Sequence, residues 1–319
     1  MKRIWVLFLL LFAVGVEGQT YPSKAIRIVV PYTPGGPADL LVRGMGQKLT
    51  ETWGQQIIVE NKPGANEIIA AQDIARSPAD GYNYLLASDA VFSLNQYLYS
   101  KLPYDPAKDF TPVSRVATAN LMLVARTDFP ASSVRELVDY ARKNPGKINY
   151  GSVGAGGVNH LAMAWLNTLN GLDMQHVPYK GLVQGLQDIM TSRLDVMFAV
   201  IGGAAPHLKA GKMKGLAVSG KSRNALIPEV PTFAEAGFPS FDASFYFGLA
   251  APAGTPREAI AKFAAESARI VNTAEFREKY LNNLGFDPAG DTPEQFAAFL
   301  RQDRALAEKK VRASGAKLD

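Results

Sequence analysis

The chain has 319 residues, of which 47% are hydrophobic and 20% charged, and carries a formal net charge of +5. This balance excludes a disordered chain, a collagen-like repeat and a polytopic membrane protein, and the length predicts two domains of ordinary size. The absence of cysteine excludes disulfides, thiolate metal sites, iron–sulfur clusters and a thiol nucleophile.

The first element reads as a targeting signal. Lys2 and Arg3 precede an apolar run from Ile4 to Val16, which is too short for a comfortable membrane span. Val16-x-Gly18 fits the small-residue cleavage rule, so residues 1–18 are expected to be a signal peptide cleaved after Gly18. No cysteine follows to carry a lipid anchor, and the alternative is an uncleaved N-terminal membrane anchor. Cleavage removes two cations and one anion, leaving a mildly basic chain of net charge +4. The mature protein is therefore expected to be exported. No run of Lys and Arg points to nucleic acid.

The mature chain then alternates strands and helices. Short β-branched runs predict strands at Ile26–Val30, Gln56–Glu60, Tyr84–Ala87, Leu121–Ala125, Ile148–Tyr150, Gln175–Val177, Asp195–Val200, Leu216–Ser219 and Phe247–Ala251. Helical spacing recurs in Leu41, Met45, Leu49 and Trp53, in Val134, Leu137, Val138 and Ala141, and in Leu186, Ile189 and Met190. Ser133 with Glu136, Thr232 with Glu235 and Thr255 with Glu258 have capping-box spacing, and Pro256 suits a first helical turn. The alternation implies α/β architecture with mostly parallel sheets.

Two glycine-rich turns carry the chemistry. The first runs from Val30 to Asp39 and contains Tyr32, Thr33, Gly35 and Gly36 before a helix that starts near Pro37. Adjacent glycines let the backbone approach a ligand, and the helix start offers unpaired amides and a positive dipole end. Such a turn holds a carboxylate or phosphate without a cationic side chain. Asp39 can cap amides there. The alternative is a tight turn with no ligand.

The second runs from Tyr150 to His160 and contains Ser152, Gly154, Gly156, Gly157 and Asn159 before another apolar-faced helix. Gly154-x-Gly156 lacks the third glycine of a dinucleotide fingerprint, so no nucleotide cofactor is expected. Ser152 and His160 admit a hydrolase reading, but no nucleophile elbow surrounds Ser152. With His160, His176 and His207 as the only histidines, metal and triad chemistry have few arrangements, and no metal site is expected.

Ordered motifs spread along the mature length carry a family resemblance. They are Tyr21-Pro22-Ser23-Lys24, Val30-Pro31-x3-Gly35-Gly36-x2-Asp39, Val59-Glu60-Asn61-Lys62-Pro63-Gly64-Ala65 and Asp80-Gly81-Tyr82. Leu102-Pro103-Tyr104-Asp105-Pro106-x2-Asp109-Phe110, Asn144-Pro145-Gly146-Lys147, Gly154-x-Gly156, His160-Leu161 and His176-Val177-Pro178-Tyr179-Lys180-Gly181 follow. Leu226-Ile227-Pro228-Glu229-Val230-Pro231-Thr232, Ala251-Pro252-Ala253-Gly254-Thr255-Pro256 and Thr292-Pro293-Glu294 complete the series. Each piece alone is weak, but the ordered set is specific. The chain resembles the periplasmic solute-binding proteins of tripartite tricarboxylate transporters, the Bug or TctC-like family.

The resemblance implies a type II periplasmic-binding-protein fold, with two α/β domains joined by crossing strands and a ligand cleft between them. By analogy, domain 1 comprises residues 19–121 and 246–319, and domain 2 residues 122–245. It implies a small organic carboxylate held largely by backbone amides and ordered waters from the two facing turns, closed in by a hinge motion. It adds Ser88, Asp89, Ala90, Tyr179 and Lys180 as pocket candidates, with Phe92 as a wall. It also implies delivery to a membrane permease, action as a monomer and no enzymatic turnover. A sensory receptor for a membrane histidine kinase is the alternative within the same fold.

Two departures from the family pattern stand out. Ala199 occupies a position where many relatives carry an aspartate that pairs with a ligand amino group, which favours a non-amino carboxylate. Asn66-Glu67 replaces a common Gly-Gly pair. This places the Pro63-Gly64 turn in doubt as a family-like contact while leaving the two principal turns untouched.

Overall fold

The computed structural model describes residues 21–241 and 243–318, so the expected signal peptide lies outside the described residues. Strands β1 (Ile26–Val30), β2 (Ile57–Asn61) and β3 (Asn83–Ser88) are linked by helices α1 (Pro37–Trp53) and α2 (Ile68–Ala75). After β3 the chain makes a π-helical turn, Ala90–Leu94, into the short α3 (Asn95–Leu98). Strand β4 (Phe110–Ala119) leads through Asn120 into β5 (Leu121–Ala125). Then follow α4 (Val134–Lys143), β6 (Asn149–Ser152), α5 (Val158–Asn170), β7 (Gln175–Pro178), α6 (Leu182–Met190), β8 (Val196–Val200), α7 (Ile201–Lys209) and β9 (Lys214–Val218). The chain finishes with β10 (Phe245–Pro252), α8 (Arg257–Val271), α9 (Ala274–Phe276), β11 (Phe286–Pro288) and α10 (Pro293–Ser314).

Two mixed sheets result. The first has the order β11-β4-β10-β3-β1-β2 and the second β7-β6-β8-β5-β9. Ends of the chain build the first sheet and its middle builds the second, giving the two-lobed α/β architecture with crossing strands. In each sheet three neighbouring strands are parallel, β2-β1-β3 and β7-β6-β8, and the remaining pairings are antiparallel. The expectation of mostly parallel sheets is corrected accordingly. Parallel neighbours need a crossover helix. Where the chain instead changes sheets, through β4–β5 and back into β10, the strands meet head to tail.

Each predicted strand corresponds to an observed one; β4 and β11 are additional. Strand β4 hides because its pairing with β10 shifts register twice, opposite Phe247/Gly248 and Leu249/Ala250. Those irregularities leave Val116 and Val113 without a partner on β10 and break the period of two. Strand β11 has only three residues.

Local signals explain most helix ends. Helix α1 starts at Pro37 behind extended Gly36 and stops at left-handed Gly54, whose amide returns to the Thr50 carbonyl. Its apolar stripe, Leu41, Met45 and Leu49, is fully buried. Ser133 caps α4 by accepting from the Glu136 amide. Thr232 and Glu235 bond reciprocally, at 3.1 and 2.7 Å, but close a turn rather than open a helix. Thr255 does not cap α8, because its hydroxyl donates to the Pro252 carbonyl and Pro256 takes the cap position.

The passage between lobes is tightly bonded. Ser219 donates its amide to the Leu121 carbonyl at 2.7 Å and accepts the Leu121 amide on its hydroxyl at 2.8 Å. Helix α10 bridges both lobes, since Ala307 and Val311 share an apolar cluster with Leu94 and Leu98 of the first and Leu161 of the second. Among the described residues no helix is long and apolar enough to cross a membrane.

Candidate functional site

Parallel strands point their carboxyl ends the same way, and open α/β sheets bind ligands outside those ends. In the first lobe that edge carries Tyr32–Asp39 after β1, Asn66–Glu67 after β2 and Ser88–Ala90 at the end of β3. In the second it carries Ser152–His160 after β6 and Tyr179–Gly181 after β7. The two edges meet. A Cβ placed on Gly181 would lie 3.6 Å from the Thr33 hydroxyl, and one on Gly156 would lie 3.1 Å from the Asn66 amide nitrogen. An interlobe cavity of about 30 Å³ remains beside them, room for one or two waters. Asp89 and Lys310 of the first lobe, Val158 and Trp165 of α5, and Ser244 just before β10 line it.

The first turn is braced from within. Asp39 is buried, and its carboxylate accepts from the Gly35 amide at 2.9 Å, the Asn61 side chain at 2.8 Å and Arg43 at 2.9 Å. Burial favours the neutral acid, but Arg43, the Gly35 amide and Asn61 outweigh it and hold the pKa below the usual carboxylate range. Asp39 thus anchors the turn internally. Gly35 takes φ +79, where a Cβ would be strained, and Gly36 is extended at φ −76. The amides of Ala38 and Asp39 open α1 and have no acceptor one turn back.

The second turn is also knotted from within. Ser152 is fully buried, and its hydroxyl donates to the Gly154 carbonyl at 2.9 Å and accepts the Gly154 amide. It also lies 2.7 Å from His176 Nε2. Both Gly154 groups and His176 thus converge on the one Ser152 hydroxyl. The Ser–His pair is therefore Ser152–His176, not the Ser152–His160 pair of the hydrolase reading, and it supports the turn.

His160 instead accepts the Gly156 amide on Nδ1 at 3.0 Å and stacks on His176 at 4.1 Å. Burial and the neighbouring His176 push its pKa down to about 4, and burial also lowers that of His176. Both rings are thus neutral near pH 7. Asn159 donates to the Phe198 carbonyl at 2.7 Å, fixing the start of α5 to β8. Gly154 and Gly156 take φ +127 and +78, and the first-turn amides of α5 remain available.

The other named residues divide. Lys180 is exposed beside Gly181. Tyr179 donates to Asp188 at 2.8 Å, and burial with that carboxylate raises its pKa to about 12. Ser88, Asp89 and Ala90 are buried at the edge of the first lobe. Among the described residues Asp89 Oδ1 has no hydrogen-bond partner, and burial raises the Asp89 pKa well above normal. Phe92 does not wall the site, because it lies in the core against Phe110, Tyr246 and Phe296. Ala199 faces away from the crevice, into the apolar layer with Met122, Leu186 and Ile201. A carboxylate at this position would enter that layer.

The largest correction concerns Asn66-Glu67, which does reach both turns. Ala65, Asn66 and Glu67 hold φ of +47, +49 and +71, a left-handed run costing about 1 kcal/mol or more per non-glycine residue. Bonds offset that cost. Asn66 donates to Asn95 at 2.6 Å and Asn95 donates back to the Asn66 carbonyl at 3.0 Å. Glu67 accepts from the Tyr32 phenol, the Ser88 amide and the Ser88 hydroxyl. Burial raises the Glu67 pKa, with those bonds opposing. Glu67, Asn95 and His176 were not singled out as site residues. For Glu67 the signal was present as the missing Gly-Gly pair.

The comparisons identify the family. Residues 41–315 match the family described as the Tripartite tricarboxylate transporter family receptor, TctC. A UPF0065 protein of Bordetella pertussis is 34% identical, over 94% of this chain and 93% of its own length. The structure of Rhodopseudomonas palustris Rpa4515 with adipate superposes with a TM-score of 0.88 at 32% identity, covering 93% of this chain and all of that one. MatC from the same organism, with bound malate, gives 0.85 at 31% identity, covering 91% and 100%. This chain belongs to the tripartite tricarboxylate transporter receptor family, the Bug or TctC-like solute-binding proteins.

Proposed function

We propose that the protein is a periplasmic receptor that captures a small organic carboxylate between its lobes and delivers it to a tripartite tricarboxylate-type membrane permease. The observation that carries this reading is that each glycine turn meets the opposite lobe, Thr33 of the first against Gly181 before α6, and Gly156 of the second against Asn66 after β2. Each turn presents backbone amides and a helix dipole to one crevice, the arrangement that favours an anion. The adipate and malate complexes of its relatives lend support.

In this reading residues 19–121 with 246–319 form one rigid lobe and residues 122–245 the other. They close about Asn120 and the strand that returns near Ser244. The ligand is bound stoichiometrically, by a monomer, without turnover or cofactor. Removal of residues 1–18 on export yields the mature form. Tyr32, Thr33, Gly35, Gly36, Ser88, Asp89 and Ala90 bound the ligand from one side, and Gly154, Gly156, Gly157, His160 and Lys180 from the other.

A thermal-shift panel of mono-, di- and tricarboxylates, aromatic acids and amino acids tests this, because a ligand of the native state stabilises in proportion to the logarithm of its concentration over Kd. Saturable stabilisation by a carboxylate is expected. A panel in which no carboxylate shifts the melting temperature overturns the ligand class.

A further inference from the structure

Three donors at the carboxyl edge of the first sheet converge on one point. They are the Ser88 amide at 3.0 Å, the Ser88 hydroxyl at 2.5 Å and the Tyr32 phenol at 2.5 Å. What they hold is the chain's own Glu67 carboxylate, only 7% exposed. All three donors are neutral, and together they form the set that would receive one end of a small carboxylate. Glu67 reaches them because Ala65, Asn66 and Glu67 adopt left-handed backbone. A glycine at 67 would hold the same φ without strain and leave the donors open. Beside it, Asp89 brings a second buried carboxyl to the interlobe cavity, with Oδ1 unpartnered among the described residues.

We propose that Glu67 is a specificity-determining residue that fills the first lobe's carboxylate-receiving donors, so that the receptor takes small monocarboxylates and discriminates against diacids. The inference rests on the carboxylate reading above and names the substrate class for that site. The single carboxylate of the ligand is met by the turn amides, and the other end of the ligand faces Glu67 and Asp89. A diacid spanning the crevice has two options. It displaces Glu67 and leaves that group buried without donors, or it brings a second carboxylate beside Glu67, whose three donors are already taken. A monoacid meets neither penalty, and a hydroxyl or other donor at its far end would find acceptors there.

Hexanoate against adipate and butyrate against succinate are matched pairs that differ only in the second carboxylate. Calorimetric titration of the mature chain should give at least tenfold tighter binding of the monoacid in one pair or both. Glu67→Gly, which empties the donors and relieves the left-handed φ, should shift the monoacid-to-diacid ratio toward the diacid by at least tenfold. Glu67→Gln keeps the side chain's volume and removes its charge, so it should shift the ratio by less; it carries the test if the glycine variant fails to fold. Diacid preference in the wild type, or a ratio unchanged in the folded variants, overturns the Glu67 assignment while leaving the carboxylate reading standing. No binding of any of the four acids to wild type or variants overturns the monoacid assignment, while the carboxylate reading is decided by the wider panel above.

Discussion

Replacing Gly156 with alanine separates backbone strain from interlobe contact. Gly156 sits at φ +78, and a Cβ there meets Leu318, the Asn66 amide nitrogen at 3.1 Å and Leu98 Cδ1 at 3.2 Å. The strain, about 1–2 kcal/mol for an L-residue in left-handed backbone, is present whether the lobes are open or closed, so it lowers stability but not affinity. On the proposed hinge motion, the clash arises only when the lobes close. Leu318 meets it with Cδ1, the far end of a flexible side chain, and can give way. Asn66 cannot move freely, because Asn95 grips it by two hydrogen bonds, and Leu98 is 2% exposed. Overpacking of this kind costs about 1–2 kcal/mol, which raises Kd by about 5–30-fold.

Gly171→Ala is the control. Gly171 caps the other end of α5 at φ +61 with nothing within 4 Å of a Cβ. Both variants should melt lower than wild type, while only Gly156→Ala should bind the panel's carboxylate more weakly by calorimetry. Equal affinity in the two would refute closure of this crevice over the ligand.

Three other expectations follow from the site. Gly36→Val should keep the far-UV circular dichroism spectrum, because a Cβ there meets only the Thr33 carbonyl at an ordinary 3.5 Å, but should weaken binding by about tenfold as bulk obstructs the turn amides; unchanged affinity would remove this turn from the site. His160 is neutral when folded down to about pH 4 against a reference of 6.5, so the unfolded chain takes up the proton first. The stability it contributes is complete above about pH 6.5 and lost as pH falls toward 4, by at most ~3 kcal/mol and less for its partial exposure; denaturation of wild type and His160→Gln across that range should show the difference growing with pH, and the opposite slope would refute the assignment. Ser152→Ala should reduce stability by about 1–2 kcal/mol through loss of its bonds to Gly154 and His176, with no ester hydrolysis to lose; hydrolysis present in wild type and absent in this variant would restore the hydrolase reading.

Much of the fold was legible because it rests on local chemistry. Strand β1 announces itself as a β-branched run, α1 as a four-residue repeat opened by Gly36-Pro37 and closed by Gly54, and the two glycine turns as places where only glycine tolerates the backbone. Strand β4 was not legible, because its register shifts are set by its partner β10. The direction of β5 and β10 escaped for the same reason, since antiparallel pairing followed from where the chain changed lobes.

Side-chain destinations divided along this line. The sequence by itself determined that two amide-rich, helix-opening turns exist, that no thiol chemistry is possible and that positions 66 and 67 depart from glycine. Only the tertiary structure decided that Asp39 turns inward to Gly35 and Arg43, that Ala199 joins the apolar layer, that Ser152 pairs with His176, and that Glu67 reaches Tyr32 and Ser88. A turn is written in neighbouring residues. The partner of a buried polar group is chosen by whichever donor or acceptor the packed lobes bring within about 3 Å, and that group can lie anywhere in the chain.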